Sequence, residues 1–597
     1  MSKATSEQLR VVLSTVHRLI VQACSGAGKT FTLEEYSLAN PGARILYLAY
    51  NKAIRDEAAG KFPTNVDCRT THSLAWHFGR RFKDAGKLGN LRPNDLMKAF
   101  DVKVGFARVL LTTVENFLYS DDADFVEDHV PQTVAAKDVA TVAEWGRIVW
   151  ATMRDLERKD VPMPHDGYLK LYQLSKPDLS RNYDIILFDE AQDANPVTTA
   201  IVEAQSCRLV IVGDKYQSIY AFRGAVNAME RIKADETLYL TESRRFGPGI
   251  AKLATLLLKT FRDEEHPVRS AFPDRETRYV VDRNLPYAII GRTNAKLFGK
   301  AVALLGRKRM HFVGGIENYP FDKLVDVWHL MNNEPGLVQD SMFKTFGSLA
   351  KLEDYASKAD DKEILSLIGV VKEYRGKVTG LVERIKAEAV ENQEDADVSL
   401  TTAHRSKGLE FDQVVLLDDF EDFITDSGEF LVLDTPELVQ ELHLLYVAIT
   451  RAMNVLELNV QMRHIVEALA VCDVDAKSLL SEGITEQGGE EVGQLAGFDY
   501  TPRTHTRDVS ETRLTEQGAL VAGEQDRAGA GADIESMVEL AILRQGLLQV
   551  ARLAQELRVE RGAMADIIVS MIRKGRLAEV LFVGSPEIAA RLRVETV

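Results

Sequence analysis

Short apolar runs recur along the first part of the chain, each closed by polar residues or glycine. They are LIVQA (19–23), RILYLAY (44–50), DIILFDE (184–190) and RLVIVGD (208–214). Runs of this length without alternation predict strands buried on both faces. Helical stretches between them predict a parallel sheet with crossover helices. Between 76 and 180 the texture changes to long amphipathic patterns such as MKAFDVKVGFARVLLTTVENFL, which predicts a helical insertion. A second set of strand candidates follows: YAIIGR (287–292), MHFVGG (310–315), DVSLTTA (397–403), QVVLLDD (413–419) and NVLELNV (454–460), with a helical pattern over 320–396.

The fold class read from this pattern is α/β, with two parallel-sheet cores, each carrying a helical insertion, and a C-terminal helical extension. Core 1 comprises 1–75 and 181–235, with 76–180 inserted. Core 2 comprises 236–319 and 397–480, with 320–396 as a short insertion. The stretch 481–534, with EQDRAGAGADIES, is rich in Gly and acids and reads as a linker. Residues 535–597 read as a helical module, either a partner-docking domain or a structural extension.

Composition changes this picture little. With 45% apolar and 27% charged residues, the 597-residue chain is of ordinary globular type. Its net charge of −16 gives no global basic field, so any nucleic-acid contact has to be a local groove. The four cysteines are Cys24, Cys68, Cys207 and Cys472, too scattered for a zinc site or a disulfide framework. No stretch of 18 uncharged apolar residues predicts a membrane span, and a cytoplasmic location is expected, or a nuclear one in a eukaryote.

Three polar segments carry candidate chemistry, and each directly follows a predicted strand. Ala23-Cys-Ser-Gly-Ala-Gly-Lys-Thr30 matches the phosphate-loop pattern, with Ala23 in place of the first Gly. Gly26 and Gly28 let the backbone wrap phosphate oxygens, Lys29 reaches the β- and γ-phosphates, and Thr30 offers a hydroxyl to Mg²⁺. Asp189-Glu-Ala-Gln-Asp193 ends the second segment's strand. Asp189 suits Mg²⁺, and Glu190 suits orienting or deprotonating a water. In the third segment Gln217 is a neutral group able to sense a γ-phosphate. Phe222 and Arg223 offer an aromatic face and a guanidinium suited to bases and phosphates. Acids in the tail, Asp526, Asp533 and Glu535, do not assemble into a metal site, so no nuclease is expected.

These segments, in this order, resemble the superfamily 1 DNA helicases of the UvrD/Rep/PcrA type, from about Gln8 to Thr450. Such a likeness implies two RecA-like cores. Gln8 resembles the glutamine that reads adenine. Ser25, Gly26, Ala27, Gly28, Lys29, Thr30 and Phe31 form the nucleotide loop. LAYNKA (48–53) resembles the first DNA-contact motif, with Asn51 and Lys52. TTHSLA (70–75) resembles the next, with His72 as its candidate contact and Thr71 in the aromatic's place. SRR (243–245) makes Arg245 the γ-phosphate arginine and leaves Arg244 where an aromatic usually stacks on adenine. GRTNA (291–295) and VGG (313–315) resemble two further landmarks. LTTAHRSKGLEF (400–411) implies that Thr402 and His404 couple DNA to nucleotide and that Glu410 contacts the ribose. LYVAITRA (445–452) makes Arg451 the second phosphate arginine. Phe31 and His443 stand where the family often has Arg.

Within the family the likeness is greatest to the F-box DNA helicase group, through HDGYLKLYQLSKPDL, AYNKAIRDEAAGKFP and SRRFGPGIAKLA. Only seven residues precede Gln8, so no F-box is expected at the start. The resemblance implies an ATP- and Mg²⁺-dependent helicase that moves 3′ to 5′ on single-stranded DNA and unwinds duplex junctions. The alternative is a translocase that mainly strips recombinase filaments. A recombinase or a replication or repair protein is then a partner for the tail.

Overall fold

In the computed structural model, residues 4–221, 224–358, 361–425, 428–471 and 473–484 are described. Among them, one six-stranded sheet is built from β1 (Arg18–Ala23), β2 (Ile45–Ala49), β3 (Val66–Thr70), β4 (Ile185–Phe188), β5 (Arg208–Gly213) and β6 (Glu236–Leu240). The strands are all parallel, in the order β3-β2-β4-β5-β1-β6. A short parallel pair, β7 (Glu242–Ser243) and β8 (Arg269–Ser270), follows. A second all-parallel sheet contains β9 (Tyr287–Gly291), β10 (Met310–Phe312), β11 (Ala389–Val390), β12 (Val398–Thr402), β13 (Phe411–Leu416) and β14 (Ala452–Glu457). Its order is β11-β10-β12-β9-β13-β14.

The apolar runs are continuous because successive side chains enter different cores. From the first sheet, Ile20, Leu46, Leu48, Ile186, Phe188 and Ile211 join the core shared with the helices of 76–180. Their neighbours Leu19, Val21, Ile45, Tyr47, Leu187 and Val210 fill the opposite face with Val11, Leu33 and Tyr36. A period of two buried on both sides leaves few polar positions in the runs, Gln22 among them. The second sheet repeats the device. Ile289, Leu400 and Val415 face the helices of the 320–396 stretch, and Ile290, Val414 and Leu416 face Leu253, Tyr446 and Val447.

The two sheets also begin alike. Arg44, just before β2, sends its backbone N–H and guanidinium to Asp184, just before β4. Arg309, just before β10, does the same to Asp397, just before β12. Both pairs are substantially exposed, so they set register more than they stabilise.

Long helices occupy the connection between β3 and β4, among them Val104–Tyr119 and Ala136–Arg154. Another helical group, from Phe321–Met331 to Val378–Glu388, lies between β10 and β11. One boundary needs correcting: with core 1 ended at 235, Glu236–Leu240 would belong to core 2. It pairs instead with β1 in the first sheet, from Leu19↔Glu236 to Ala23↔Leu240. No helix among the described residues is long and apolar enough to cross a membrane. Most of the expected linker and all of the expected 535–597 helical module lie outside the described residues.

Candidate functional site

All of the first sheet's polar segments leave the carboxyl edges of parallel strands, where ligand crevices form in such sheets. After β1, the chain turns through Cys24–Gly28 into α2, Lys29–Ala39, which follows α1, Ser6–Val12. Gly26 and Gly28 have φ of 75° and 77°, a region glycine enters without steric cost. A Cβ on Gly26 would stand 2.6 Å from Ser243 Oγ and 2.7 Å from Arg245 Cβ. The loop is thus pressed against 243–245, and Arg244 N–H donates to the Gly26 carbonyl at 2.8 Å. Gln8 is buried beside the loop, and its Nε2 donates to the Ala27 carbonyl at 3.1 Å. No side chain caps α2, so its first-turn N–H groups are suited to an anion. Thr30 sits in that first turn.

Asp189 and Glu190 follow β4. Tyr47 O–H donates to Asp189 Oδ2 at 2.6 Å, and Lys29 Nζ lies 3.3 Å from Glu190 Oε1. Burial and the neighbouring Glu190 charge push the Asp189 carboxyl up. Burial acts on Glu190 in the same sense, but Lys29 and Lys407 outweigh it and hold that carboxyl low. Glu190 has φ 50° and ψ 40°, a left-handed conformation that costs a non-glycine residue about 1–3 kcal/mol. Gln192 secures it by donating from Nε2 to Glu190 Oε2 at 2.5 Å. Gln192 Oε1 in turn accepts the Asp214 N–H at 3.1 Å.

The second core's arginines reach this loop. Arg245 Nη1 donates to Ser25 Oγ at 2.9 Å, and Arg451 Nη2 donates to the same oxygen at 3.1 Å. Arg451 Nη2 also lies 3.3 Å from Gln217 Oε1, and Gln217 Nε2 donates to Asp214 Oδ2 at 2.8 Å. Tyr446 O–H donates to Asp214 Oδ2 at 3.1 Å, and the Tyr446 hydroxyl oxygen accepts the Ser25 N–H at 3.3 Å. Lys407 Nζ bonds the buried Asp193 carboxylate and the Gln217 carbonyl. Glu410 Oε2 accepts Arg245 Nε at 3.0 Å. Two guanidiniums converging on one neutral hydroxyl form a site suited to an anion. Burial, and then Arg245, push the Arg451 guanidinium well below its usual range.

At the expected adenine position, the two departures from the family pattern stand together. The Arg244 guanidinium lies 5.9 Å from the Phe31 ring centroid, within cation–π range. Aromatic face and charge are both present, with their places exchanged.

The candidate DNA contacts are distributed along the same edges. Asn51 is exposed and caps the helix Lys52–Ala59, accepting the Ile54 N–H at 2.9 Å. Lys52 is exposed. His72 follows β3 and bonds Asp166 at 3.2 Å. Ala49 and Thr70 are paired in register, so both segments start at one sheet edge. Thr402 is buried and caps Ala403–Ser406, which contains His404. The His404 carbonyl accepts Tyr220 O–H at 3.5 Å. Phe222 and Arg223 lie outside the described residues. Tyr50, half exposed, stacks on Tyr220 at 5.8 Å and 10°.

Sequence reasoning did not single out Asp214, Tyr446, Gln192, Lys407 or Tyr47. The available signal was position, since Asp214 is the first polar residue after β5 and Lys407 lies inside an already suspect motif.

The UvrD/REP helicase N-terminal domain model matches residues 80–235, and the UvrD-like helicase C-terminal domain model matches 343–461. The chain is 32% identical to F-box DNA helicase 1 of Gallus gallus over 518 residues, 78% of this chain and 50% of that protein. It is 29% identical to F-box DNA helicase protein 1 of Schizosaccharomyces pombe over 507 residues, 76% of this chain and 57% of that protein. The chain therefore spans little more than half the length of these curated relatives.

Proposed function

Because the chain belongs to the UvrD-like helicase family, we propose that it is a DNA-dependent ATPase that translocates 3′ to 5′ on single-stranded DNA and unwinds duplex junctions. The observation that carries this reading is the convergence of Arg245 and Arg451 on Ser25 of the phosphate loop. ATP is the anion that suits this cleft, between a lysine-bearing loop and two arginines from the opposite wall. Gln8, Phe31, Arg244 and Glu410 border its base and ribose end.

Thr30 and Asp189 are the residues that would hold Mg²⁺, which when bound neutralises phosphate charge. Tyr47 aims the Asp189 carboxylate. Glu190 stays ionised beside Lys29, so it can accept a proton from an attacking water. Lys29 withdraws charge from the β- and γ-phosphates. Arg245 and Arg451 stabilise the charge of the transferring phosphoryl group in the manner of arginine fingers, which makes hydrolysis depend on cleft closure. Gln217 touches Arg451 and Asp214, so a change at the γ-phosphate reaches both walls at once.

Asn51, Lys52, His72, Phe222, Arg223, Thr402 and His404 serve as the strand's contacts. Phosphate binding and stacking give little sequence preference. Cycles of closure and reopening carry the strand across both cores. The relatives' names, F-box DNA helicases, support DNA as the track.

The test is ATP hydrolysis with and without oligo-dT, for the wild type and Glu190→Gln. Oligo-dT is expected to stimulate the wild type strongly. Glu190→Gln should lower kcat by about 10²–10⁴ while still binding nucleotide. Partial duplexes with 3′ or 5′ tails then read polarity, with the 3′-tailed one unwound. Hydrolysis indifferent to DNA and RNA alike would overturn the motor reading.

A further inference from the structure

The segment that carries His72 runs directly into the helix Trp76–Asp84, WHFGRRFKD. Trp76 is 37% exposed, an unusual expense for so large an apolar ring. With Ser73, Leu74, His77, Arg80, Lys83 and Asp84 it lines an open concavity of about 520 Å³. Three of those side chains are cationic or can become so, and one is acidic. Lys83 Nζ lies 5.8 Å from the Trp76 ring centroid. Arg80 is 75% exposed and only loosely opposed by Asp84, at 3.7 Å. A cationic hollow of this kind contrasts with the chain's net charge of −16.

The ring is held from behind. Trp76 meets Tyr168 edge-on at 6.1 Å, and Tyr168 meets His72 edge-on at 5.9 Å. Gly79 makes room for this, since a Cβ there would lie 2.9 Å from the Tyr168 ring and 3.2 Å from Trp76 Cε3. A braced, half-open aromatic face beside exposed cations is the arrangement used to stack a base and hold its phosphates. An apolar protein partner would need a drier, less charged surface.

We propose that Trp76–Asp84 is a stacking platform for unpaired nucleic acid. Trp76 takes one base on its open face, and Arg80 and Lys83 take the flanking phosphates. The platform extends the proposed strand track past His72 onto the helices of 76–180. It rests on the reading of the chain as a nucleic-acid motor.

The experiment uses the full chain and a fluorescent oligo-dT, with affinity followed by anisotropy over a KCl series. Trp76→Ala should weaken binding about 5- to 150-fold, the range for loss of one stacked base. Trp76→Phe, which keeps a face, should recover most of it. Arg80→Ala/Lys83→Ala should reduce the slope of log K against log salt by about 1.4, two phosphates on a single strand. That double variant alters only exposed charges, so it decides the matter even if Trp76→Ala folds poorly. Wild-type binding with unchanged affinity in Trp76→Ala, or an unchanged slope in the double variant, would overturn the platform and leave the motor reading standing. No oligo-dT binding by the wild type, with ATP hydrolysis indifferent to it, would remove both.

Discussion

A single methyl group at Gly26 tests how tightly the phosphate loop is set against the second core. The residue has φ 75°, and its missing Cβ would fall within 2.7 Å of both Ser243 Oγ and Arg245 Cβ. Gly26→Ala must therefore either move the loop or push Arg245 off Ser25. The expected outcome is at least a tenfold loss of kcat/KM for ATP, with a stability loss of about 1–3 kcal/mol from the strained backbone. Steady-state hydrolysis and a thermal melt check it, and wild-type kinetics would show that the loop tolerates a side chain. The glycine-lysine-threonine core of this loop was legible from sequence, because the chemistry demands those residue types in that order. Asp214 and Tyr446 were not, because their role exists only through a bond between residues 232 positions apart.

Among the elements, the strands that the sequence pattern missed are sheet edges or the short pair β7–β8, while one edge, β14, was read. Nine apolar runs predicted nine strands that the structure contains. β3 and β6, which went unread, are the two edges of the first sheet. β3, VDCRT, is half-buried with Arg69 exposed, and β6, ETLYL, alternates burial toward its end. An edge strand has one paired side and less cover, so its composition carries less apolar signal. The helix Pro436–Ile449 shows a different kind of hidden information. His443 on it is buried, and its Nδ1–H donates to the Ser218 carbonyl at 3.0 Å, while Nε2 has no partner. Burial, with Arg262, Lys407 and Lys215 nearby, pushes the imidazole down to about 4 despite that bond. The folded state thus holds the neutral form, while the unfolded chain takes up a proton near pH 6.5. Stability tied to His443 is intact above about pH 6.5 and falls as pH drops towards 4, by about 2 kcal/mol at pH 5. Asp193, raised to about 6 by burial against the pull of Lys407, works in the opposite sense. Comparison with His443→Gln isolates the imidazole. The wild type should lose about 2 kcal/mol more than the variant between pH 7.5 and 5, read from unfolding midpoints. Equal losses would mean that His443 is protonated in the folded protein at no cost.

At the scale of the whole molecule, Tyr216 and Ile219 of the first core join one apolar cluster with Leu442 and Tyr446 of the second, and polar groups line the cleft beside it. Arg451 is the most committed of these, 1% exposed and bonded to the Val447 and Leu409 carbonyls on its own side. Its remaining reach goes to Ser25 and Gln217 on the other side. A buried guanidinium beside a second one, with no carboxylate on Nη2, the one nitrogen it extends across the gap, is a poor way to hold two cores together. It is a good way to await a triphosphate whose charge rises during transfer. Arg451→Ala should then lower oligo-dT-stimulated kcat by about 10³ or more while changing nucleotide affinity less than tenfold, because Lys29 and Arg245 remain. Arg451→Lys should not restore the rate, since an ammonium cannot keep the Val447 and Leu409 carbonyls while also reaching Ser25 and Gln217, as the planar guanidinium does through three nitrogens. Hydrolysis rates with saturating oligo-dT, set beside a fluorescent-nucleotide titration, separate the two effects. If Arg451→Ala lost affinity and rate in equal measure, the arginine would be holding the ground state, and coupling between the cores would have to run through Arg245 and the Tyr446–Asp214 and Lys407–Asp193 contacts.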